Sequence, residues 1–209
     1  MRLVLASNNA KKLAELRALL GALPLELVAQ GSLGIEEADE PHGTFLENAL
    51  AKARHAARAA GGPAIADDSG LCVDALAGAP GVVSAHYAGF VEPQADREAT
   101  RRVQDAANNA LLLEQLAGVA DRRARFVSTL VALRSADDPE PLVAFGRWEG
   151  EIRAAGQGSA GFGYDPLMHI PALGRTVAQL AADEKNRLSH RAQAAAQMAA
   201  MLRDVWRLG

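Results

Sequence analysis

One cysteine, Cys72, stands alone in a chain of 209 residues. An internal disulfide is therefore excluded, and the cytoplasm is the expected compartment. The same count, with five scattered histidines, excludes a thiolate zinc site. Aromatic residues are scarce, 4% of the total, which argues against a module that stacks RNA bases. Charge of one sign is lacking too. The net charge of -3 provides no broad field to attract nucleic acid or a membrane surface, so neither is an expected partner. Any anion must be held by a local cluster. No apolar run approaches membrane-spanning length. The opening residues Met1 to Ala6 are too short for a signal-peptide core and run straight into Asn8 and Asn9. Repeats and low-complexity linkers are missing as well.

What is present reads as an α/β protein. Hydrophobic residues make up 49% and charged residues 22%, close to the globular average. Leu3 to Ala6 is a short apolar run, followed by leucines 13, 16, 19 and 20 on one helical face and by a second extended run, Leu25 to Val28. This β-loop-α-β opening is typical of α/β folds. Residues 31 to 43 read as loop. Thr44 and Glu47 match a capping box that starts a helix running to about Ala60, closed by Gly61-Gly62-Pro63. Gly78 to Gly81 is turn chemistry. Helical propensity covers 96 to 117, and residues 125 to 133 and 142 to 148 read as an antiparallel strand pair. Two helices are expected at the end, near 176 to 184 and from Ser189 to about Arg207. No domain boundary is visible, so residues 1–209 are taken as a single domain.

Three stretches carry chemistry. Ala64 to Gly70 reads Ala-Ile-Ala-Asp-Asp-Ser-Gly, a buried strand ending in two carboxylates. Strand residues alternate between faces, so Asp67 and Asp68 cannot both serve one site. One should face the chemistry and the other support it. A hard cation such as Mg²⁺ takes one or two carboxylates plus substrate phosphates, and Glu40 is a candidate second carboxylate. Read alone, the two aspartates are equally plain turn formers. Ser7-Asn8-Asn9-Ala10-Lys11-Lys12 lies where a strand becomes a helix, a place that favours an anion, although Ser and Asn are also ordinary helix caps. Lys185, His190 and Arg191 put cations near a helix start capped by Ser189. The helix dipole disfavours them there by about 0.3–1 kcal/mol each unless an anion is held nearby. Gly161 to Pro166 offers flexible backbone around two aromatics, Phe162 and Tyr164, equally readable as a tight turn or as a seat for a purine.

These stretches, in this order, resemble the inosine triphosphate pyrophosphatase family. The matching segments are Leu5 to Lys12, Glu40 with Thr44 to Ala53, Ala64 to Leu71, Gly78 to Gly81, Gly161 to Pro166, and Glu184-Lys185 with Ser189-His190-Arg191. The resemblance runs nearly end to end. It implies an elongated mixed β-sheet flanked by helices, in two lobes with a central active-site cleft. It also implies a cytoplasmic, Mg²⁺-dependent homodimer that cleaves ITP, dITP, XTP and dXTP to the monophosphate and pyrophosphate, keeping deaminated purines out of DNA and RNA. By the same resemblance Asp68 is the general base and a metal ligand, and Glu40 is a metal ligand. Ser7, Asn8, Asn9, Ala10, Lys11, Lys12, Lys52 and Ser69 line the nucleotide and phosphate site. Phe162, Gly163, Tyr164, Asp165, Lys185, His190 and Arg191 hold the base and its surroundings. Ser7 stands where many relatives have threonine, and His86 where bacterial members commonly have arginine. Two other readings stay open. One is a Maf-like enzyme acting on modified pyrimidine nucleotides. The other is a nucleotide sensor without turnover, which leaves the Asp68–Glu40 pair without a purpose.

Overall fold

The computed structural model describes residues 1–208. Its seven strands form one open mixed sheet in the order β2-β1-β3-β4-β5-β6-β7, flanked by helices. The strands are β1 (Arg2–Leu5), β2 (Glu26–Ala29), β3 (Ala64–Val73), β4 (Arg123–Leu133), β5 (Leu142–Ile152), β6 (Met168–Ile170) and β7 (Arg175–Thr176). The helices are α1 (Ala10–Leu20), α2 (Phe45–Ala60), α3 (Arg97–Gln115), α4 (Ala182–Leu188) and α5 (His190–Asp204). β1 pairs in parallel with β2 and with β3, Leu5 lying beside Ile65, whereas β5, β6 and β7 pair antiparallel.

The chain divides into two compact units. The first comprises Met1–Ser69, Val127–Arg147 and Asn186–Gly209; the second comprises Gly70–Phe126 and Trp148–Lys185. In the first unit the pleat sorts side chains onto two faces. Leu3, Leu5 and Ile65 enter a core with Leu16 and Leu20 of α1 and Met198 and Leu202 of α5. Val4, Ala6, Ala64 and Ala66 enter another with Ala49, Ala53, Ala56 and Ala57 of α2. This is the period of two that a strand imposes. Each fully buried leucine contributes about 1.5–3 kcal/mol. The small alanines of α2 bring that helix close to the sheet. In the second unit Leu71, Val73, Leu112, Leu116, Trp148, Ile152 and Tyr164 build a separate core.

The local signals behave as their chemistry requires. Thr44 Oγ1 accepts from the Glu47 amide at 3.2 Å and caps α2, which ends on Gly61 at φ 63°. Asn9 caps α1, and Ser189 caps α5. The helix expected near 176 to 184 does not form as one element. Thr176 and Gln179 close a capping box around a single 3-10 turn, Val177–Gln179, and α4 begins only at Ala182. The loop after residue 30 likewise opens with a 3-10 turn, Gln30–Leu33, ended by Gly34 at φ 69°. Among the described residues, no helix is long and apolar enough to cross a membrane.

Candidate active site

The alternation along β3 decides the site. Ile65 and Ala66 already point to opposite cores, so Asp67 follows Ile65 toward α1 and α5, and Asp68 follows Ala66 toward α2. Two different electrostatic environments result from one dipeptide.

On the first face, Asp67 is buried and fully engaged. Its Oδ1 accepts from Ser128 Oγ of β4 at 2.7 Å. Its Oδ2 accepts from Arg191 Nη2 at 3.0 Å and Nε at 3.2 Å, and from Ser69 Oγ at 3.2 Å, with Lys12 Nζ at 3.1 Å. Arg191 is 1% exposed, so it is a core residue, not a surface cation. Its Nη2 also donates to Ser69 Oγ at 2.9 Å, and Nη1 pairs with Glu15 of α1. Burial alone would raise the Asp67 pKa. The charges of Arg191 and Lys12, with the Ser128 hydrogen bond, outweigh it and hold the group well below the usual carboxylate range. Two carboxylates, Asp67 and Glu15, meet two cations, Arg191 and Lys12, so this face is internally balanced. The anion expected at the α5 helix start is supplied in large part by the protein itself.

On the second face, Asp68 Oδ1 accepts from Lys52 Nζ at 2.7 Å, and the same ammonium reaches Glu40 Oε2 at 3.0 Å. Asp68 Oδ2 is buried without a hydrogen-bond partner. Burial pushes the Asp68 pKa up to about 6, against the pull of Lys52 and with the help of the neighbouring Glu40 carboxylate. Glu40 is more exposed, and Lys52 brings it below its ordinary value against a smaller cost of desolvation. Lys52 is raised, because its two carboxylate partners outweigh burial. Two carboxylates here meet one ammonium. With both ionised the face carries one uncompensated negative charge beside an oxygen that lacks a donor. Those are the features a cation would satisfy.

Between the faces, both lysines converge on one acceptor. The Asp67 carbonyl oxygen lies 3.4 Å from Lys12 Nζ and 3.2 Å from Lys52 Nζ. Burial lowers the Lys12 pKa despite Asp67, and the nearby Lys52 and Arg191 charges add to the fall. One carbonyl oxygen thus gathers both ammonium groups, each of which also pairs with a carboxylate of its own face.

The other expected residues have their own local partners. Asn9 Oδ1 accepts from the amides of Lys11 at 3.0 Å and Lys12 at 3.2 Å, and Ser7 Oγ accepts from the Asn9 amide at 3.1 Å. Those two first-turn amides therefore serve the cap, and the positive character of the segment rests on its lysines. Ala10 opens α1 exposed, and Asn8 packs against Gly31, where a Cβ would come within 2.3 Å of Asn8 Oδ1. Ser69 shares the Asp67 face. His190 is buried at the first turn of α5.

Phe162, Gly163, Tyr164, Asp165 and Lys185 form their own cluster in the second unit. Asp165 Oδ2 accepts from the Phe162 amide at 2.9 Å and from Lys185 Nζ at 2.8 Å. The Lys185 ammonium also stands 4.5 Å from the Phe162 ring centroid. Gly161 is obligatory here, because a Cβ would come within 2.0 Å of Asp165 Oδ2. Sequence reasoning missed Glu15 and Ser128, which complete the Asp67 network. Neither carries a local signal beyond its place on a helix and a strand.

A sequence model of the Ham1 family matches residues 3–201. A protein named dITP/XTP pyrophosphatase from Methylibium petroleiphilum is 75% identical over 206 residues, 99% of each chain. One of the same name from Leptothrix cholodnii is 69% identical over 211 aligned positions, spanning both chains in full. Among solved structures, a HAM1 protein from Coxiella burnetii superposes with a TM-score of 0.86 at 42% identity, covering 97% of this chain and 98% of that one. This chain belongs to the Ham1 family.

Proposed function

From membership of the Ham1 family and from the environment of Asp68, we infer that this protein is a nucleoside triphosphate pyrophosphatase. It acts on dITP and XTP, with ITP and dXTP as related substrates, and releases the monophosphate and pyrophosphate. The family assignment and the named relatives support the substrate class. One structural observation carries the mechanism: Asp68 is buried and its Oδ2 lacks a donor next to Glu40, an environment that pushes its pKa up to about 6.

Asp68 is the general base. A group of that pKa is ionised at neutral pH yet basic enough to accept a proton, the compromise that general-base catalysis requires. It takes a proton from water as the water oxygen bonds to the α-phosphorus. The bond from that phosphorus to the bridging oxygen breaks, and pyrophosphate leaves with the electron pair. Lys12 and Lys52 neutralise phosphate charge, and Ser7 to Lys11 line the same phosphate site. Asp67 does not touch the substrate; through Lys12, Ser69 and Arg191 it fixes the groups that do. His190 and Arg191 support the nucleotide site from the start of α5. Phe162, Gly163, Tyr164, Asp165 and Lys185 are assigned to the base.

Asp68 and Glu40 are the residues suited to hold Mg²⁺. Such an ion takes one or two carboxylates and completes its shell with water and phosphate oxygens. When bound, Mg²⁺ supplies neutralisation of the phosphate charge and of the leaving pyrophosphate. The substrate's 6-oxygen is the natural point of selection, because a donor fixed toward it would meet another donor in ATP. Sites of that kind discriminate by about 10⁴ or more. The 209 residues act as a single pyrophosphatase domain, in a cytoplasmic homodimer.

The test is product analysis. With Mg²⁺ and dITP, pyrophosphate should appear as the direct product, faster than from dATP, dGTP or dTTP. Orthophosphate as the direct product would contradict attack at the α-phosphorus. Preference for a modified pyrimidine nucleotide would overturn the substrate class.

A further inference from the structure

Helix α3 presents a polar face outside the site built on β3. Gln104, Asp105, Asn108 and Asn109 follow i, i+1, i+4, i+5 spacing and so share one side of the helix. Three of the four are Asn or Asp, poor helix formers, so propensity does not explain the row. Each of the four instead grips loop backbone within the second unit. Gln104 accepts from the Val91 amide at 3.2 Å and donates to Gly89 O at 2.7 Å. Asn108 accepts from the Ala88 amide at 2.9 Å and donates to Ser84 O at 3.2 Å and Ala85 O at 3.1 Å.

The other two residues act on a single peptide unit of the Phe162 loop. Asp105 Oδ2 accepts from the Gly163 amide at 2.8 Å, and Asn109 Nδ2 donates to Gly163 O at 3.0 Å. Both backbone polar groups of Gly163 are thus held by α3. Gly163 sits at φ 60°, inside a stretch with glycines also at 156, 158 and 161, which would otherwise sample many conformations. Its neighbours are fixed in turn. Phe162 and Lys185 meet at Asp165, and Tyr164 OH donates to Ser84 O at 2.9 Å, tying this loop to the segment that Asn108 holds.

We propose that Asp105 and Asn109 are positioning residues for base selection. They clamp Gly163 so that Phe162 and Asp165 present one fixed surface to the purine, and neither touches the nucleotide. This rests on the proposed base role of the Phe162–Asp165 loop. A loop pinned at both polar groups of its central residue discriminates between bases that differ by one exocyclic group; a mobile loop adapts to both and loses the difference.

The test compares dITP with dGTP in steady-state kinetics. Asp105→Ala and Asn109→Ala should each raise KM for dITP by about tenfold and reduce the dITP preference in kcat/KM by a similar factor, roughly the loss of one hydrogen bond. At saturation kcat should stay within about twofold, because the Asp68 face is untouched. Asp105→Asn keeps an acceptor for the Gly163 amide and should restore most of the preference. Asn109→Asp sets an acceptor against Gly163 O and should be worse than the alanine. Phe162→Ala, measured in parallel, should itself raise KM. If Phe162→Ala changes neither KM nor preference, the base assignment fails. If it changes them while Asp105→Ala and Asn109→Ala do not, the clamp alone is overturned. A uniform fall in kcat on both nucleotides with a lowered unfolding midpoint and no change in preference would likewise overturn it, leaving only a structural role.

Discussion

Asp67 and Asp68 are neighbours in sequence and opposites in environment. Asp67 meets Arg191, Lys12, Ser69 and Ser128, and its pKa falls well below the ordinary range. Asp68 meets one lysine and a competing carboxylate, leaves Oδ2 without a donor, and rises to about 6. Burial is almost the same, 1% and 4% exposed, so desolvation does not separate them. What separates them is which helices the pleat turns each one toward. A carboxylate surrounded by matched cations is an anchor. A carboxylate left under-compensated is a reagent.

The anchor side should show the larger stability effects. Asp67→Ala removes the partner of the buried Arg191 and the half-buried Lys12 and should cost about 3–5 kcal/mol, the range for breaking a buried ion pair from one side. Denaturant unfolding reads this directly, and a loss below about 1 kcal/mol would remove the distinction between the two faces. A smaller effect is expected at Gly146 of β5, where a Cβ would stand 1.7 Å from His190 O and 2.8 Å from the Ala194 amide. Gly146→Ala must push the start of α5 away from the sheet, and Arg191 with it. The expected cost is about 1–3 kcal/mol, as for other overpacked sites, with reduced turnover as Asp67 loses its alignment. Unaltered stability and turnover would show that α5 does not need this close seat. At the small end lies Asp121, whose pKa falls to about 2 because Arg123 hydrogen-bonds it. The pair is solvent-exposed, so Asp121→Asn should leave the unfolding midpoint unchanged. A clear shift there would mean that a lowered carboxylate pKa does not mark an anchor by burial alone.

Much of this was legible in the residues. The β-α-β opening, the Thr44 N-cap and the end of α2 at Gly61 follow from short-range chemistry, and the structure keeps them, although Glu47 accepts from the Thr44 hydroxyl and not from its amide as a full capping box requires. The opposed directions of Asp67 and Asp68 follow from strand geometry. Their partners do not. Arg191 meets Asp67 across 124 positions and Ser128 meets it across 61, distances over which no local pattern speaks. The cations at the start of α5 are matched by Glu15 and Asp67, which only the fold brings close. The amides of Lys11 and Lys12 are likewise occupied by Asn9, the ordinary capping outcome that the sequence left open. The polar face of α3 was hidden because its residues act on loop backbone, which leaves no complementary residue type to find.

The most direct measurement is pyrophosphate release from saturating dITP by Asp68→Asn, taken beside its unfolding midpoint. Turnover should fall by about 10²–10⁴-fold, while stability holds or rises because a buried, under-compensated charge has been removed. Parental turnover, or a loss of folding like that of Asp67→Ala, would contradict the assignment of chemistry to one face of β3 and support to the other.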